Sequence, residues 1–258
     1  MNQSFYTAAL GAVVQQDKMN VVSGNIANVN TVGYKSKYGA FSDLIYEQMN
    51  STEDTGKAKT GSGTKLDEMK TDLTAMPYAS TDGQYDYAIA GEGFFMLKDP
   101  ATGDLTYTRD GNFQLSKVED KYYLVNTEGK RVLNMDQEEI TYDVDPYTYP
   151  GNETDTEDEE DTELEEGEHD PQAVGVYTFS RRDGLICSGN NEYSATEKNG
   201  DPILLENAEV VSGALESSGT VFALEMSKVI DAQRAYSYAL KMVQTSDEIE
   251  STINALRS

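Results

Sequence analysis

Five carboxylates, Asp82, Asp86, Glu92, Asp104 and Asp110, fall beside predicted turns, where a pair of acids could flank a glycosidic bond. Such chemistry needs one acid with a raised pKa in a cleft, usually walled by aromatics. With 46 acidic residues some must fall near turns by composition alone, and the chain has no Trp, so the pattern argues weakly for a hydrolase. His169 is the single histidine, so a triad or a histidine metal site has no second imidazole. Cys187 is the single cysteine, which excludes an intrachain disulfide and a cysteine zinc site. Gly91-Glu92-Gly93 looks like the start of a dinucleotide fingerprint, but Phe94-Phe95 follows with no helix, and a tight hairpin turn is expected. The Gly56–Ser62 stretch has phosphate-loop glycine spacing with Ser where Lys is required.

From Asp136 to Asp170 the chain carries 17 Asp and Glu and no Lys or Arg. Its Thr154–Asp170 part lacks the calcium-loop spacing of an EF-hand and reads as a solvated, disordered insertion with His169 exposed inside it. The whole run also accounts for most of the formal net charge of -26. That charge argues against nucleic acid and anionic membrane surfaces, whose phosphates need Lys and Arg in excess. No window approaches the ~18 apolar residues of a membrane span. The N-terminus has no basic region, apolar run or small-residue cleavage site, so no cleaved secretory signal is expected.

The remaining chemistry lies in three carboxamides, Asn25, Asn28 and Asn30, within Ser23-Gly24-Asn25-Ile26-Ala27-Asn28-Val29-Asn30-Thr31-Val32-Gly33-Tyr34. Each has two donors and two acceptor lone pairs to satisfy next to an apolar stripe. The element that positions them is a helix from Asn2 to about Asn30, with Ser4 as N-cap and Gly33 as the left-handed exit. Its stripe is Phe5, Ala9, Ala12, Gln16, Met19 and Ile26, in steps of three, four and seven. A second helix, from about Val221 to Leu256, carries Val229, Ala232, Tyr236, Ala239 and Val243 at the same period. Neither helix is stable alone with its stripe in water, so the two are expected to pack on each other.

Between them the pattern changes to short β-rich runs broken by turn residues every eight to twelve positions. Predicted strands cover Tyr85–Ala90, Phe94–Leu97, Leu105–Thr108, Phe113–Leu115, Tyr122–Val125, Val174–Ser180, Leu185–Cys187 and Ile203–Leu205. The fold class is therefore α+β: N- and C-terminal amphipathic helices packing as a coiled coil, with a central, mainly antiparallel β domain. The expected organisation is a helix over 1–33, an extended linker over 34–75 with 50–64 flexible, a β domain over 76–215 with the acidic insertion at about 143–172, and a helix over 216–258.

Three blocks carry a resemblance. Ser4-Phe5-Tyr6-Thr7-Ala8-Ala9 with Gln15-Gln16, running into Asn25 to Lys35, resembles the opening of the bacterial flagellar rod and hook proteins. Ala88-Ile89-Ala90-Gly91-Glu92-Gly93-Phe94-Phe95 with Tyr107-Thr108-Arg109-Asp110-Gly111-Asn112-Phe113 is similar to the central motif of that family. Glu225-Met226-Ser227-Lys228-Val229-Ile230-Asp231-Ala232-Gln233-Arg234-Ala235-Tyr236, followed by Lys241, Thr245 and Asp247, is similar to its C-terminal motif. One departure precedes the last helix, where Gly213-Ala214-Leu215-Glu216-Ser217-Ser218-Gly219-Thr220-Val221 replaces the usual Gly-x-Leu-Glu-x-Ser-Asn-Val.

The resemblance implies a subunit of the flagellar basal body that leaves the cell through the flagellar export apparatus. Its terminal helices would line a narrow channel and its β domain would form the outer layer of a helical tube. Length favours a rod protein, of the distal type, over a hook subunit, which normally carries a further outer domain. The implied partners are copies of itself, other rod and hook axial proteins and the export apparatus, with no nucleic acid, no membrane insertion, no cofactor, no metal and no enzymatic activity. Phe5, Met19, Asn25, Ile26, Asn28, Asn30, Gly33, Val229, Gln233, Arg234, Tyr236 and Val243 are the expected subunit-packing residues, the asparagines setting the stagger of one copy on the next. Rival readings are a hook-type subunit, a secreted wall-remodelling enzyme with a coiled-coil attachment, and an adaptor that binds through its acidic loop.

Overall fold

The computed structural model describes residues 3–44, 46–48, 59–119, 121–142 and 173–257. Most of the acidic run, with His169, and residues 50–58 of the expected flexible 50–64 stretch lie outside them. The described chain is α+β and divides into two compact units, one made of Met1–Asn30, Lys35–Leu73 and Ser218–Ser258, the other of Thr31–Tyr34 and Thr74–Ser217.

In the first unit, helix α1 covers Gln3–Ala27 and helix α2 covers Phe222–Arg257. Ser4 lies inside the first turn instead of capping it, and the Thr7 hydroxyl donates back to the Gln3 carbonyl at 3.0 Å. α1 stops before Asn30: the Asn28 and Val29 amides turn back to the carbonyls of Asn25 and Ile26, tightening the last turn. Asn28 Nδ2 donates to the Gly24 carbonyl at 2.8 Å, satisfying one of the acceptors that a helix end leaves free. The helices pack antiparallel. Asn25 meets Glu225 at one end, and the Ser4 and Ser246 hydroxyls lie 3.4 Å apart at the other. Both contacts are 21 residues apart on each helix, so the two run in step over about 30 Å at 1.5 Å per residue. From Ser246 onward α2 continues to Arg257, past the start of α1.

The stretch expected to be a linker holds two antiparallel ribbons. β1 (Lys37–Asp43) would leave its edge unpaired without β4 (Thr64–Thr71), with which it pairs from Lys37↔Thr71 to Asp43↔Thr64 around a bulge between Ala40 and Phe41. β2 (Tyr46–Gln48) pairs with β3 (Lys59–Gly61). α1 rests on the first ribbon, with Thr7 and Leu10 against Gly63.

The second unit contains β5 (Tyr78–Ser80), β6 (Tyr87–Ala90), β7 (Phe94–Lys98), β8 (Leu105–Thr108), β9 (Gln114–Val118), β10 (Lys121–Val125), β11 (Arg131–Val132), β12 (Thr141–Tyr142), β13 (Val176–Thr178), β14 (Ile186–Gly189), β15 (Glu192–Ser194), β16 (Ile203–Leu204), β17 (Glu209–Ser212) and β18 (Ala214–Glu216). The main sheet runs β12-β10-β11-β7-β8-β15-β14, with β9 on β10 and β13 joining β7 to β16, every pairing antiparallel. β17 pairs with β6 and β18 with β5. Phe94, Phe95, Met96 and Leu97 are all buried, because β7 is central and covered on both faces, which is why its sequence is a continuous apolar run without alternation. The core gathers Ile89, Phe95, Leu97, Phe113, Leu124, Val132, Ile140, Val174 and Val176, with Phe95 edge-on to Phe113 at 5.3 Å.

The expected hairpin at Gly91-Glu92-Gly93 is not one. β6 and β7 lie in different sheets, and the two glycines, both at positive φ, carry the chain from one to the other. Among the described residues no helix is long and apolar enough to cross a membrane.

Candidate functional site

Two polar junctions organise the units, and both draw on residues of the quoted blocks. The first is centred on Asn25, 1% exposed near the end of α1. Its Nδ2 donates to the Lys37 carbonyl at 2.8 Å, and its Oδ1 accepts from the Lys37 amide at 2.9 Å. The carboxamide thus pairs with Lys37 as the backbone of a neighbouring strand would, at the point where β1 begins. Nδ2 also donates to Glu225 Oε2 at 3.2 Å, and Lys228 Nζ donates to Glu225 Oε1 at 2.5 Å. Glu225 is itself buried, in the first turn of α2, where the helix dipole favours a negative charge. Nearby, Ser218 Oγ donates to the Asn28 carbonyl at 2.8 Å.

Within one chain the Asn25 amide therefore joins α1, β1 and α2. Asn28 is half-buried and Asn30 exposed.

The second junction lies in the β unit. Arg109 and Glu216 are each 1% exposed and form an ion pair, Arg109 Nη1 to Glu216 Oε2 at 3.1 Å. Arg109 Nη2 donates to the Gly91 carbonyl at 2.6 Å, and the guanidinium lies 5.7 Å from the centre of the Phe94 ring. Burial pulls the Arg109 pKa down against the opposing pull of Glu216. The second oxygen of Glu216 accepts from the Met76 amide at 2.7 Å, and its backbone carbonyl accepts from the Gly33 amide at 2.8 Å. Gly33 has φ +62°, and a Cβ there would lie 2.5 Å from the Arg109 carbonyl oxygen and 2.8 Å from the Asp110 nitrogen, all backbone. Only glycine fits. Asn191 Nδ2 holds the neighbouring Val32 carbonyl at 2.8 Å. Gly33 therefore serves a close approach within its own chain.

Sequence reasoning quoted Arg109 and Glu216 inside motifs but assigned neither a role. They are 107 positions apart, and no local pattern links them.

Three of the five turn carboxylates are engaged by other groups of the chain, and Asp82 and Asp104 are exposed. Asp86 Oδ2 accepts the Thr81 hydroxyl at 2.6 Å, and Asp110 Oδ1 accepts the Asn112 amide at 3.0 Å. Burial raises the Asp110 pKa, with Asp86 adding to the effect. Glu92 pairs with Arg182 at 2.9 Å, and that hydrogen bond lowers its pKa. Among the described residues no cluster of three or more His, Cys, Asp or Glu could hold a metal ion.

The apolar packing residues fare differently. Phe5, Met19, Ile26, Val229, Tyr236 and Val243 are half-buried, while Gln233 and Arg234 are exposed. Full burial in the helical unit falls instead on Ala12, Val14, Val22 and Ala232. Meanwhile α2 exposes Phe222, Leu224, Ile230, Tyr238, Met242, Ile249, Ile253 and Leu256, the last at 83%.

Comparison with known proteins agrees with the three blocks. Residues 5–35 match the family described as flagella basal body rod protein, residues 88–153 the flagellar hook protein FlgE/F/G D1 domain, and residues 211–256 the flagellar basal body rod FlgEFG protein C-terminal. The chain is 30% identical over 275 residues to the flagellar basal-body rod protein FlgG of Buchnera aphidicola subsp. Schizaphis graminum, covering 99% of this chain and 100% of that protein. It is 31% identical to FlgG of Borreliella burgdorferi over 274 residues, covering 100% and 99%, and 31% identical to FlgG of Bacillus subtilis over 270 residues, covering 96% and 97%. FlgF of Caulobacter vibrioides is 29% identical over 257 residues, covering 96% and 95%. With both terminal helices, the central antiparallel sheet and all three blocks in order along its length, this chain belongs to the flagellar basal-body rod protein family and is a structural subunit of the rod.

Proposed function

We propose that the subunit polymerises by its helical unit, α1 and α2 pairing as a coiled coil whose outer faces are covered by the helices of neighbouring copies and of other axial proteins. A surface that binds a different surface on the next copy, with a rotation that does not close, generates a helical tube. That tube transmits torque and encloses the export channel. The role is mechanical, with no bond made or broken. Phe5, Met19, Ile26, Val229, Tyr236 and Val243 complete their burial on assembly, and Asn28, Asn30, Gln233 and Arg234 supply polar contacts between copies.

One observation carries the reading. α2 exposes a run of large apolar side chains along its length, including Tyr238 at 64%, Ile253 at 57% and Leu256 at 83%, while few in its unit are buried. Apolar surface on that scale marks an interaction face. Each such side chain, fully covered, contributes about 1.5–3 kcal/mol.

The paired substitution Ile253→Asp and Leu256→Asp tests it. The isolated variant keeps the circular dichroism and thermal midpoint of the parent, since both side chains are exposed in one chain. In a strain lacking the native copy it fails to restore complete basal bodies under the electron microscope. Full basal bodies with the variant would refute assembly through this face.

A further inference from the structure

The Arg109–Glu216 pair sits where the first and last segments of the β unit meet. The first segment, Thr31–Tyr34, after which the chain returns to the helical unit until Thr74, is held by the Glu216 carbonyl through Gly33 and by Asn191 through Val32. The leaving segment, β18, pairs with β5, and Ser217 adds a hydrogen bond from its amide to the Pro77 carbonyl at 2.9 Å. Arg109 spans the remaining gap, binding the leaving strand through Glu216 and the β6–β7 connection through the Gly91 carbonyl. Five stretches far apart in sequence, around residues 33, 76, 91, 109 and 216, converge on one guanidinium–carboxylate pair.

We infer that Arg109 and Glu216 form a latch that closes the β unit on both ends of its own chain, and that Gly33, Gly91, Arg109 and Glu216 serve this closure within the subunit instead of contacts between copies. A buried ion pair is a poor source of net stability, because desolvating two charges offsets most of their attraction. It is a strong selector of geometry, since either charge left alone in the interior is heavily penalised. Here the geometry selected is the side-by-side placement of the strands through which load passes into and out of the unit, a consequence that rests on the rod reading. The closure itself does not.

Amide hydrogen exchange on the free, full-length chain tests the latch. The Gly33 and Met76 amides are donors to Glu216, and the buried strand β7 reports the global fold. In Arg109→Met the Gly33 and Met76 amides exchange at least tenfold faster than in the parent while Leu97 is unchanged. Replacing both partners, Arg109→Met with Glu216→Leu, recovers part of that protection because no charge is left unpaired. If Arg109→Met unfolds the whole unit, Arg109→Lys is the reading. It keeps the charge but cannot reach Glu216 and Gly91 together, so Gly33 exchanges faster than in the parent with Leu97 protected. Parental exchange at Gly33 and Met76 in Arg109→Met, or in Arg109→Lys where Met unfolds the unit, overturns the latch. Because the measurement uses the unassembled chain, it stands apart from the α2 experiment, whose failure bears on assembly alone.

Discussion

Replacing Asn25 by Leu removes a side chain that completes two backbone hydrogen bonds at Lys37 and one contact with Glu225. Glu225 keeps its Lys228 partner, so the loss falls on the Lys37 amide and carbonyl. Two polar groups left without partners at about 2 kcal/mol each, less ~1.5 kcal/mol regained by burying a leucine, leave a net loss of about 2–3 kcal/mol. That corresponds to a roughly 30- to 160-fold larger opening equilibrium. The Lys37 amide in the free chain should exchange faster by about that factor, with amides of the β-unit core unaffected. Asn25→Asp sharpens the test at constant size. The carboxylate still accepts from the Lys37 amide but faces the Lys37 carbonyl and Glu225 with negative charge. Its pKa in the folded chain is therefore raised, so the penalty is absent below the usual aspartate value of about 3.9 and grows as the pH rises above it. Lys37 exchange within twofold of the parent in Asn25→Leu would refute the intrachain role and return Asn25 to contacts between copies.

Gly33→Ala forces a Cβ into the Arg109 and Asp110 backbone from a left-handed residue, and the β unit should lose well over 1 kcal/mol in urea unfolding followed by tyrosine fluorescence. Asp110→Asn retains the acceptor for the Asn112 amide while deleting a half-buried charge. Because burial raises the Asp110 pKa, the parent loses stability from this group as the pH rises through the carboxylate range, and urea midpoints between pH 3 and 7 should show that slope flattened in the variant.

The helices and eight of the eighteen described strands were legible because they depend on local pattern. The stripe from Phe5 to Ile26 and the break-free run after Val221 mark α1 and α2, and Phe94-Phe95-Met96-Leu97 between turn glycines marks the central strand. What escaped the sequence depends on distant partners. Lys37–Asp43 and Thr64–Thr71 are mostly polar, with Phe41, Leu66 and Met69 as isolated apolar positions, so their pairing shows only once the register is known. Asn25 was visible as an oddity, but its partners are the backbone of Lys37 and a glutamate 200 positions away. A backbone partner leaves no trace in residue type. Arg109 and Glu216 are ordinary charged residues in the sequence and exceptional only in being 1% exposed.

The two units satisfy themselves unequally, and their polar junctions follow from that. The β unit closes a core of nine buried apolar residues, so its own burial specifies where its strands lie. The helical unit fully buries mainly small apolar residues, Ala12, Val14, Val22 and Ala232, keeps Phe5, Met19, Ile26, Val229, Tyr236 and Val243 half-buried, and leaves others such as Tyr238, Ile253 and Leu256 outward. A seam of small side chains is smooth and specifies register weakly, since sliding by a turn changes the buried area little. A buried amide does not tolerate such sliding, because every shifted register strands its donors and acceptors. Asn25 paired to Glu225 and to the Lys37 backbone gives the helices the register that hydrophobic burial within one chain cannot. The large apolar residues exposed on α2 are then not needed to fix that register, which is the condition that the proposed packing between copies requires.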